Sequence, residues 1–151
     1  MASIANIVAF DGAATPVSHT FVPVSVSREG ATKIKAEWRE TGLAVPLIAQ
    51  PRLTITLERL KSGVYRAERR LVVPVMESVS GQNAAGYTAA PKVAHELTDI
   101  KVGMFHERSD VAGRRLVRQL GINIDGSIAT SVTPVTTGAI PELFDLLVTP
   151  T

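Results

Sequence analysis

Basic and hydroxyl side chains alternate along several segments that read as β-strands. On a strand, every second side chain lies on the same face of the sheet. We expect one face in this way to carry Lys33, Lys35, Thr54, Thr56, Arg66, Arg70 and Lys101. Lysine and arginine neutralise phosphates, and threonine hydroxyls donate further hydrogen bonds to them. If the strands lie side by side, these residues predict a surface that binds a nucleic acid. The alternative is a solvated face of cross-strand ion pairs, such as Glu58 with Arg66.

Two histidines are followed by glutamate, as at the start of the zinc-binding motif His-Glu-x-x-His: His95-Glu96 and His106-Glu107. The position that would hold the second histidine is Asp99 in one case and Asp110 in the other, so that ligand is absent. The chain contains no cysteine, which excludes thiolate metal sites and disulfides. It also contains no phosphate-binding or dinucleotide-binding glycine pattern. We therefore predict no metal site and no cofactor.

Ser109 precedes Asp110 and lies near His106, which are the residue types of a nucleophilic catalytic set. The first two also explain the start of a helix without any chemistry, because short side-chain oxygens accept the free N–H groups of its first turn. We therefore predict no catalytic residue and a chain that is not an enzyme. A small enzyme that uses His95 or His106 would need a pocket with a reactive group, and the sequence offers no motif for one.

The chain has 151 residues, of which 45% are hydrophobic and 20% charged, as in an ordinary globular protein. This length suits a single domain that spans residues 1–151. The net charge is only +2, but residues 28–70 carry ten Lys or Arg against five Glu. The positive charge therefore falls on the central strands, where a polyanion would bind. No segment has the length of a membrane span, and the N-terminus lacks the basic region of a signal peptide, so we expect no membrane partner.

Residues 52–76 read as one long β-hairpin, and the other elements can be placed relative to it. Leu53, Ile55 and Leu57 alternate with polar residues, which is the pattern of a strand with one buried face. A three-residue loop with Gly63 in the left-handed conformation pairs residue i with residue 124 minus i. This register places apolar residues opposite apolar ones. Arg69 falls on the apolar side, so it must reach a sheet edge, a subunit boundary or a carboxylate.

Alternating patterns predict the remaining strands, and helical patterns follow them. The strands cover residues 4–10, 20–27, 32–40 and 95–105. One helix begins at the Ser109-Asp110 cap and ends at Gly121, with an apolar side (Val111, Leu116, Val117, Leu120) and a basic side (Arg114, Arg115, Arg118). A second begins at Pro141 and buries Leu143, Phe144, Leu146 and Leu147. The fold class is therefore α+β, with an N-terminal β-hairpin and an antiparallel five-stranded sheet followed by two C-terminal helices. Because two short helices cannot cover such a sheet, we expect a second subunit to complete the core.

A set of features follows in one order from about residue 4 to residue 121. It begins with the N-terminal hairpin, the Ala36-Glu37-Trp38 strand and the central hairpin that ends in Val73-Pro74. It continues with a loop at 77–94 and a strand that ends in Phe105 before the Ser109-Asp110 cap. In order and spacing, this set resembles the coat proteins of the small single-stranded RNA bacteriophages, the leviviruses.

The resemblance implies an intertwined dimer in which two five-stranded sheets join into one and the helices of each subunit cross onto its partner. It further implies that dimers assemble into an icosahedral shell in the cytoplasm of a bacterial host. The polar sheet face would line the interior and bind genomic single-stranded RNA, including a hairpin at the replicase start whose binding represses translation. Together with the charge pattern, it predicts these RNA-binding residues: Lys33, Lys35, Thr54, Thr56, Glu58, Arg66, Glu68, Arg70, His95 and Lys101.

Three of the positions matched in this way depart from the expected chemistry, because Glu58, Glu68 and Leu97 stand where a polar or basic RNA contact would be expected. The loop at 77–94 would meet its copies at the symmetry axes of the shell, and without cysteines it cannot form covalent cross-links there.

A second interpretation is a dimeric RNA-binding regulator that forms no shell. The presence or absence of large particles would distinguish the two.

Overall fold

The computed structural model describes residues 4–41, 46–78, 81 and 86–151, and its strands precede its helices. The strands are β1 (Ile7–Phe10), β2 (Ser18–Glu29), β3 (Lys33–Glu40), β4 (Arg52–Arg59), β5 (Val64–Met76) and β6 (Val93–His106). They are followed by the helices α1 (Val111–Asp125) and α2 (Ala139–Asp145). Each strand pairs with the next, so the predicted hairpin and five-stranded sheet form one six-stranded antiparallel sheet. The predicted α+β class is confirmed.

The central hairpin has the register that its sequence predicts. Leu53 lies opposite Leu71, and Thr54 lies opposite Arg70. Gly63 in the connecting loop has a φ of +77°, the left-handed conformation that glycine adopts without strain. Arg69 reaches a carboxylate, as expected, because its guanidinium donates to Asp99 of the neighbouring strand β6. The alternation of apolar residues and the turn glycine were therefore sufficient to determine this hairpin.

The core lies between one face of the sheet and α2, and we call that side the helix face. Trp38, Ile55 and Leu143 are fully buried there. The indole Nε1 of Trp38 donates to the carbonyl of Ala5 over 2.9 Å, so its one polar atom is satisfied. Phe144 of α2 packs edge-on against Phe105 of β6, with ring centroids 6.3 Å apart. The helix face of β3 and β4 is thus sealed by the C-terminal segment of the same chain.

The start of α1 is as predicted, but its end is not. The Asp110 side chain accepts a hydrogen bond from the Gly113 N–H over 2.8 Å, as expected of an N-cap. The predicted stop at Gly121 is wrong, because the helix continues to Asp125 and ends at Gly126. A Cβ on Gly121 would lie 3.2 Å from the Nζ of Lys101 on β6. This glycine therefore permits a close approach between helix and strand.

In α1 the basic side faces the rest of the chain and the apolar side is exposed, which is the reverse of the usual amphipathic helix. Arg114 and Arg118 are buried, at 8% and 5% exposure. Leu116, Val117 and Leu120 are exposed, at 59%, 60% and 51%. Within one chain, it is the arginine side of α1 that packs against the C-terminal segment. The apolar side is left open to another molecule.

The short helix α2 begins at Ala139, two residues before the predicted start at Pro141. Leu143 and Phe144 are buried as predicted. The prediction for Leu146 is wrong, since the helix ends at Asp145 and Leu146 is 45% exposed.

His19 on β2 bridges two carboxylates and so ties the N-terminal hairpin to β3. Its Nδ1 is 2.7 Å from Oε1 of the buried Glu40, and its Nε2 is 3.4 Å from Oδ2 of Asp11. The hydrogen bond to Glu40, followed by that to Asp11, raises the pKa of His19 above its ordinary value of 6.5. The imidazolium form is therefore stabilised in the folded protein.

We expect the protein to lose stability as the pH rises through the neutral range. A raised pKa means that the folded state binds the His19 proton more tightly than the unfolded chain does. The resulting stabilisation is complete below the unfolded-state pKa and disappears as the pH passes the folded-state pKa. Urea denaturation at about pH 6 and about pH 9 measures the difference. His19→Gln should flatten this dependence, and His95→Gln, at an exposed position of β6, should leave it intact. An unaltered dependence in His19→Gln would contradict the assignment.

Candidate nucleic-acid interface

The strands β3, β4 and β5 are neighbours, and their register gathers polar side chains on the side of the sheet away from α2. Lys35 lies opposite Thr56, and Thr56 lies opposite Glu68. We call this surface the polar face. Its members on these three strands are Lys33, Lys35, Glu37, Arg39, Arg52, Thr54, Thr56, Glu58, Arg66, Glu68 and Arg70. Most of them line one open depression in the sheet.

The polar face contains eight of the ten predicted RNA-binding residues, namely Lys33, Lys35, Thr54, Thr56, Glu58, Arg66, Glu68 and Arg70. Arg39 and Arg52 also belong to it, although the sequence analysis did not select them. Their side chains alternate in step with Lys35 and Thr54, so the strand periodicity itself was the signal that identifies them.

The structure does not place His95 and Lys101 on the polar face, so their predicted position on the same surface as the other cations is wrong. Lys101 lies opposite Arg69 on β5, and its Nζ is 3.8 Å from the carboxylate of Asp125 on α1. His95 lies opposite Val75. Residues opposite each other in an antiparallel pair point to the same side of the sheet, which here is the helix face. The predicted loop at 77–94, part of which lies outside the described residues, is too long to fix the register of β6 from the sequence.

On the polar face, β6 contributes apolar side chains in place of the predicted cation. Ile100, Val102 and Met104 are exposed, at 50%, 44% and 55%. They lie opposite Arg70, Glu68 and Arg66, in that order. The surface therefore combines a polar area on β3–β5 with an apolar edge on β6.

Several cations of the polar face form ion pairs with neighbouring glutamates. The pairs are Lys33–Glu29 at 2.5 Å, Lys35–Glu37 at 2.7 Å, Arg66–Glu68 at 2.6 Å and Arg52–Glu96 at 2.5 Å. The alternative prediction, a solvated face of ion pairs, is therefore correct for these residues. Arg66, however, pairs with Glu68 of its own strand and not with Glu58 of the neighbouring strand. A hydrogen bond from Lys33 lowers the pKa of Glu29, and Lys35 does the same for Glu37. Because such exposed pairs are weak and are screened by salt, a phosphate can replace the carboxylate.

Arg70 and Arg39 are the two cations of the polar face that form no ion pair with any described residue, and the Arg39 guanidinium donates instead to the carbonyl oxygen of Leu47 over 3.3 Å. Arg70 is exposed, and its neighbours across the sheet are Thr54 on β4 and Ile100 on β6. A phosphate bound there would meet a full positive charge and a neighbouring hydroxyl, with no carboxylate to displace. Arg70 is therefore the cation best placed to bind an anion on this face.

The described residues, 4–41, 46–78, 81 and 86–151, also bear on metal binding and on membranes. No group of three or more histidine and carboxylate side chains in this part of the chain is arranged to hold a metal ion. Neither helix of the structure is long and apolar enough to cross a bilayer.

The comparison with protein families supplies the identification. The family described as levivirus coat protein matches residues 2–139. The chain belongs to the levivirus coat protein family. Membership confirms the resemblance seen in the sequence and makes this coat protein a capsid component of the virion, which is a structural protein and not an enzyme.

Individual relatives agree with this identification. The coat protein is 38% identical over 77 residues to the capsid protein of Pseudomonas phage PRR1. The aligned segment is 51% of this chain and 53% of the relative, so the chain spans about half the length of the curated relative it matches. Among solved structures, the virus-like particle of bacteriophage EMS014 is 29% identical with a TM-score of 0.71, covering 96% of each chain. The virus-like particle of Beihai levi-like virus 21 is 30% identical with a TM-score of 0.65, covering 90% of this chain and 99% of that one.

Proposed function

We propose that the coat protein forms an intertwined homodimer, that dimers close into an icosahedral shell, and that the polar face lines the shell and binds genomic single-stranded RNA. Assembly would take place in the cytoplasm of the bacterial host. The proposal includes binding of an RNA hairpin at the replicase start, which would repress translation. It rests chiefly on one observation: a single chain leaves a sheet edge and a helix side unpartnered while it carries a polar, cation-bearing sheet face.

The unpartnered surfaces fit a second copy of the chain. β6 forms one edge of the sheet and runs for 14 residues, so it presents a long row of free backbone hydrogen-bonding groups. Leu116, Val117 and Leu120 on α1 add an exposed apolar stripe. Pairing of two β6 edges would join the sheets of two subunits, and a crossing helix from the partner would cover the stripe. The virus-like particles among the similar structures are consistent with such dimers going on to form shells.

The polar face fits the backbone of RNA. Its lysines and arginines neutralise phosphates, and Thr54 and Thr56 provide hydroxyls between them. The glutamates Glu58 and Glu68 occupy positions within the same surface. These glutamates weaken the electrostatic attraction to RNA. The lysines and arginines make binding depend on salt, and we expect Arg70 to make the largest single contribution because it has no carboxylate partner.

Expression of the full-length chain in a bacterial host tests the proposal. Size-exclusion chromatography, the ratio of absorbance at the nucleic-acid and protein maxima, and negative-stain microscopy should show uniform particles that contain RNA. Val117→Glu combined with Leu120→Glu should abolish the particles and leave monomers, because each change places a charge in the proposed helix contact. Leu47→Glu is the matched control, since Leu47 is as exposed as the others but lies outside α1 and β6, and it should assemble normally.

Two outcomes would contradict the proposal. A stable dimer that holds RNA without forming particles would favour the regulator. Assembly of the Val117→Glu/Leu120→Glu variant at the wild-type level would show that the apolar side of α1 is not a subunit contact.

A further inference from the structure

The edge strand β6 pairs with a copy of itself in the proposed dimer, and its own residues restrict how two copies can be aligned. Opposite residues of an antiparallel pair point to the same side of the sheet. A two-fold axis that joins the two helix faces must therefore set one residue opposite its own copy. β6 runs from Val93 to His106. Two such registers pair nearly all of it: one places Asp99 on the axis, and the other places Ile100 there.

Charge distinguishes the two registers. With Asp99 on the axis, the carboxylates of both subunits lie opposite each other, and Lys101 lies opposite the apolar Leu97 of the partner subunit. Like charges directly opposite each other destabilise a sheet. With Ile100 on the axis, Asp99 lies opposite Lys101 of the partner subunit, and symmetry repeats this pair on the other side of the axis. The second register therefore replaces a repulsion by two attractions.

Both charged groups are available for this pair. The Asp99 side chain is 64% exposed, and its Oδ2 accepts from the guanidinium of Arg69, which leaves Oδ1 able to accept a further hydrogen bond. The Nζ of Lys101 is 3.8 Å from the carboxylate of Asp125, which is too long for a hydrogen bond. Residues directly opposite each other have Cβ atoms about 4.5–5.5 Å apart, within reach of a lysine and an aspartate. Asp99 would then accept from one cation of each subunit.

The apolar residues of β6 also fit the register with Ile100 on the axis. Ile100 then lies opposite its own copy, which is a favourable β-branched pair. Leu97 is 57% exposed in the single chain, and in this register it lies opposite Gly103 of the partner subunit. A Cβ on Gly103 would be 2.5 Å from the ring of Phe105, so this ring lies across the glycine and offers Leu97 an apolar contact.

We infer that β6 pairs with β6 of the partner subunit about an axis at Ile100, and that reciprocal Asp99–Lys101 pairs select this register. The inference rests on the proposed function and adds the residues by which one copy recognises another. A neutral replacement of either charged residue removes only a weak attraction, whereas a reversed charge opposes the contact at both symmetric sites.

A single introduced cysteine reports the register directly, because the chain contains no other cysteine. In Ile100→Cys the two cysteines lie opposite each other, with Cα atoms about 4.5–5.5 Å apart, a distance that a disulfide spans. Oxidation of the full-length protein with copper phenanthroline should therefore convert most of it to a linked dimer on a non-reducing gel. Val102→Cys is the matched control, since position 102 lies on the same face but about 13 Å from its own copy, and it should remain unlinked.

Charge reversal tests the pairs themselves. Asp99→Lys sets lysine against lysine at both sites, and Lys101→Asp sets aspartate against aspartate, so each variant alone should dimerise at least about tenfold more weakly. Mixed together, the two variants restore both pairs of opposite charge and should form a heterodimer with near wild-type affinity. Native mass spectrometry of the RNA-free, unassembled protein measures the populations. Changes within one chain, such as the loss of the ion pair with Arg69, cannot produce this recovery.

The results that would overturn the inference can be told apart. Linkage of Val102→Cys in place of Ile100→Cys would show a different register, and linkage of neither variant in a dimeric protein would refute pairing through β6. Absence of a preference for the mixed dimer would show that the charges do not select the register. Absence of any dimer in the unassembled wild-type protein would refute the proposed function itself.

Discussion

Replacement of Asp145 by asparagine is expected to lower the free energy of unfolding by about 3–5 kcal/mol, because it leaves a buried arginine without its counter-charge. The Asp145 carboxylate is fully buried. Its Oδ1 accepts from Nε of Arg118 over 2.7 Å, and its Oδ2 accepts from Nη2 of the same residue over 2.9 Å. Arg115 adds a third hydrogen bond at 3.2 Å. Burial acts to raise the pKa of Asp145, but the hydrogen bonds from the two arginines outweigh it and lower that pKa.

Urea denaturation of the full-length protein at a fixed concentration measures this effect. Asp125→Asn is the matched control, because Asp125 also faces a cation, Lys101 at 3.8 Å, but is 77% exposed and should contribute little. Combining Asp145→Asn with Arg118→Met should recover part of the loss, since the unpaired charge is then removed. Equal effects of Asp145→Asn and Asp125→Asn would show that the buried pair does not hold α2 against α1.

The central hairpin shows how far the sequence determines this fold. Its apolar alternation, its turn glycine and its cross-strand register all agree, and the structure has that register residue for residue. The polar face of β3–β5 was predictable for the same reason, because strand alternation is local information. For the exception, Arg69, the sequence left a sheet edge, a subunit boundary or a carboxylate as alternatives, and the structure shows the carboxylate of Asp99.

Two of the errors, the face of Lys101 and the buried side of α1, arose where a long stretch of chain separates the partners. The side chain of Lys101 could not be assigned to a face, because its strand follows the loop after β5 and one residue of slip reverses every side chain. The burial of the arginines of α1 could not be predicted from the sequence either, because the counter-charge of Arg118 is Asp145, 27 residues further along the chain. A helix with one apolar and one basic side is ordinarily read with the apolar side inward. Here the buried carboxylate reverses that arrangement within one chain.

The correction for Lys101 makes the RNA-binding prediction more specific. Replacing Lys35, Arg66 and Arg70 together by alanine should sharply reduce the RNA bound by purified particles, as the absorbance ratio would report. In filter binding with single-stranded RNA, the slope of log K against log salt is negative, and each lost phosphate contact reduces its magnitude by about 0.7, so the three changes should reduce it by about 2. Arg70→Ala should have the largest effect of the single changes, because Lys35 and Arg66 are already paired with glutamates.

Lys101→Ala is the control that separates this prediction from a general effect of positive charge. It removes a cation of the same sheet, but one whose side chain lies on the helix face beside Asp125. RNA content and salt dependence should therefore stay at wild-type values in Lys101→Ala, and the triple variant should still elute as a dimer when disassembled. If Lys101→Ala reduced RNA binding as much as Arg70→Ala, the phosphate-binding surface would have to include the helix face. The assignment of the polar face as the sole RNA-binding side would then fail, even if the triple variant also lost RNA.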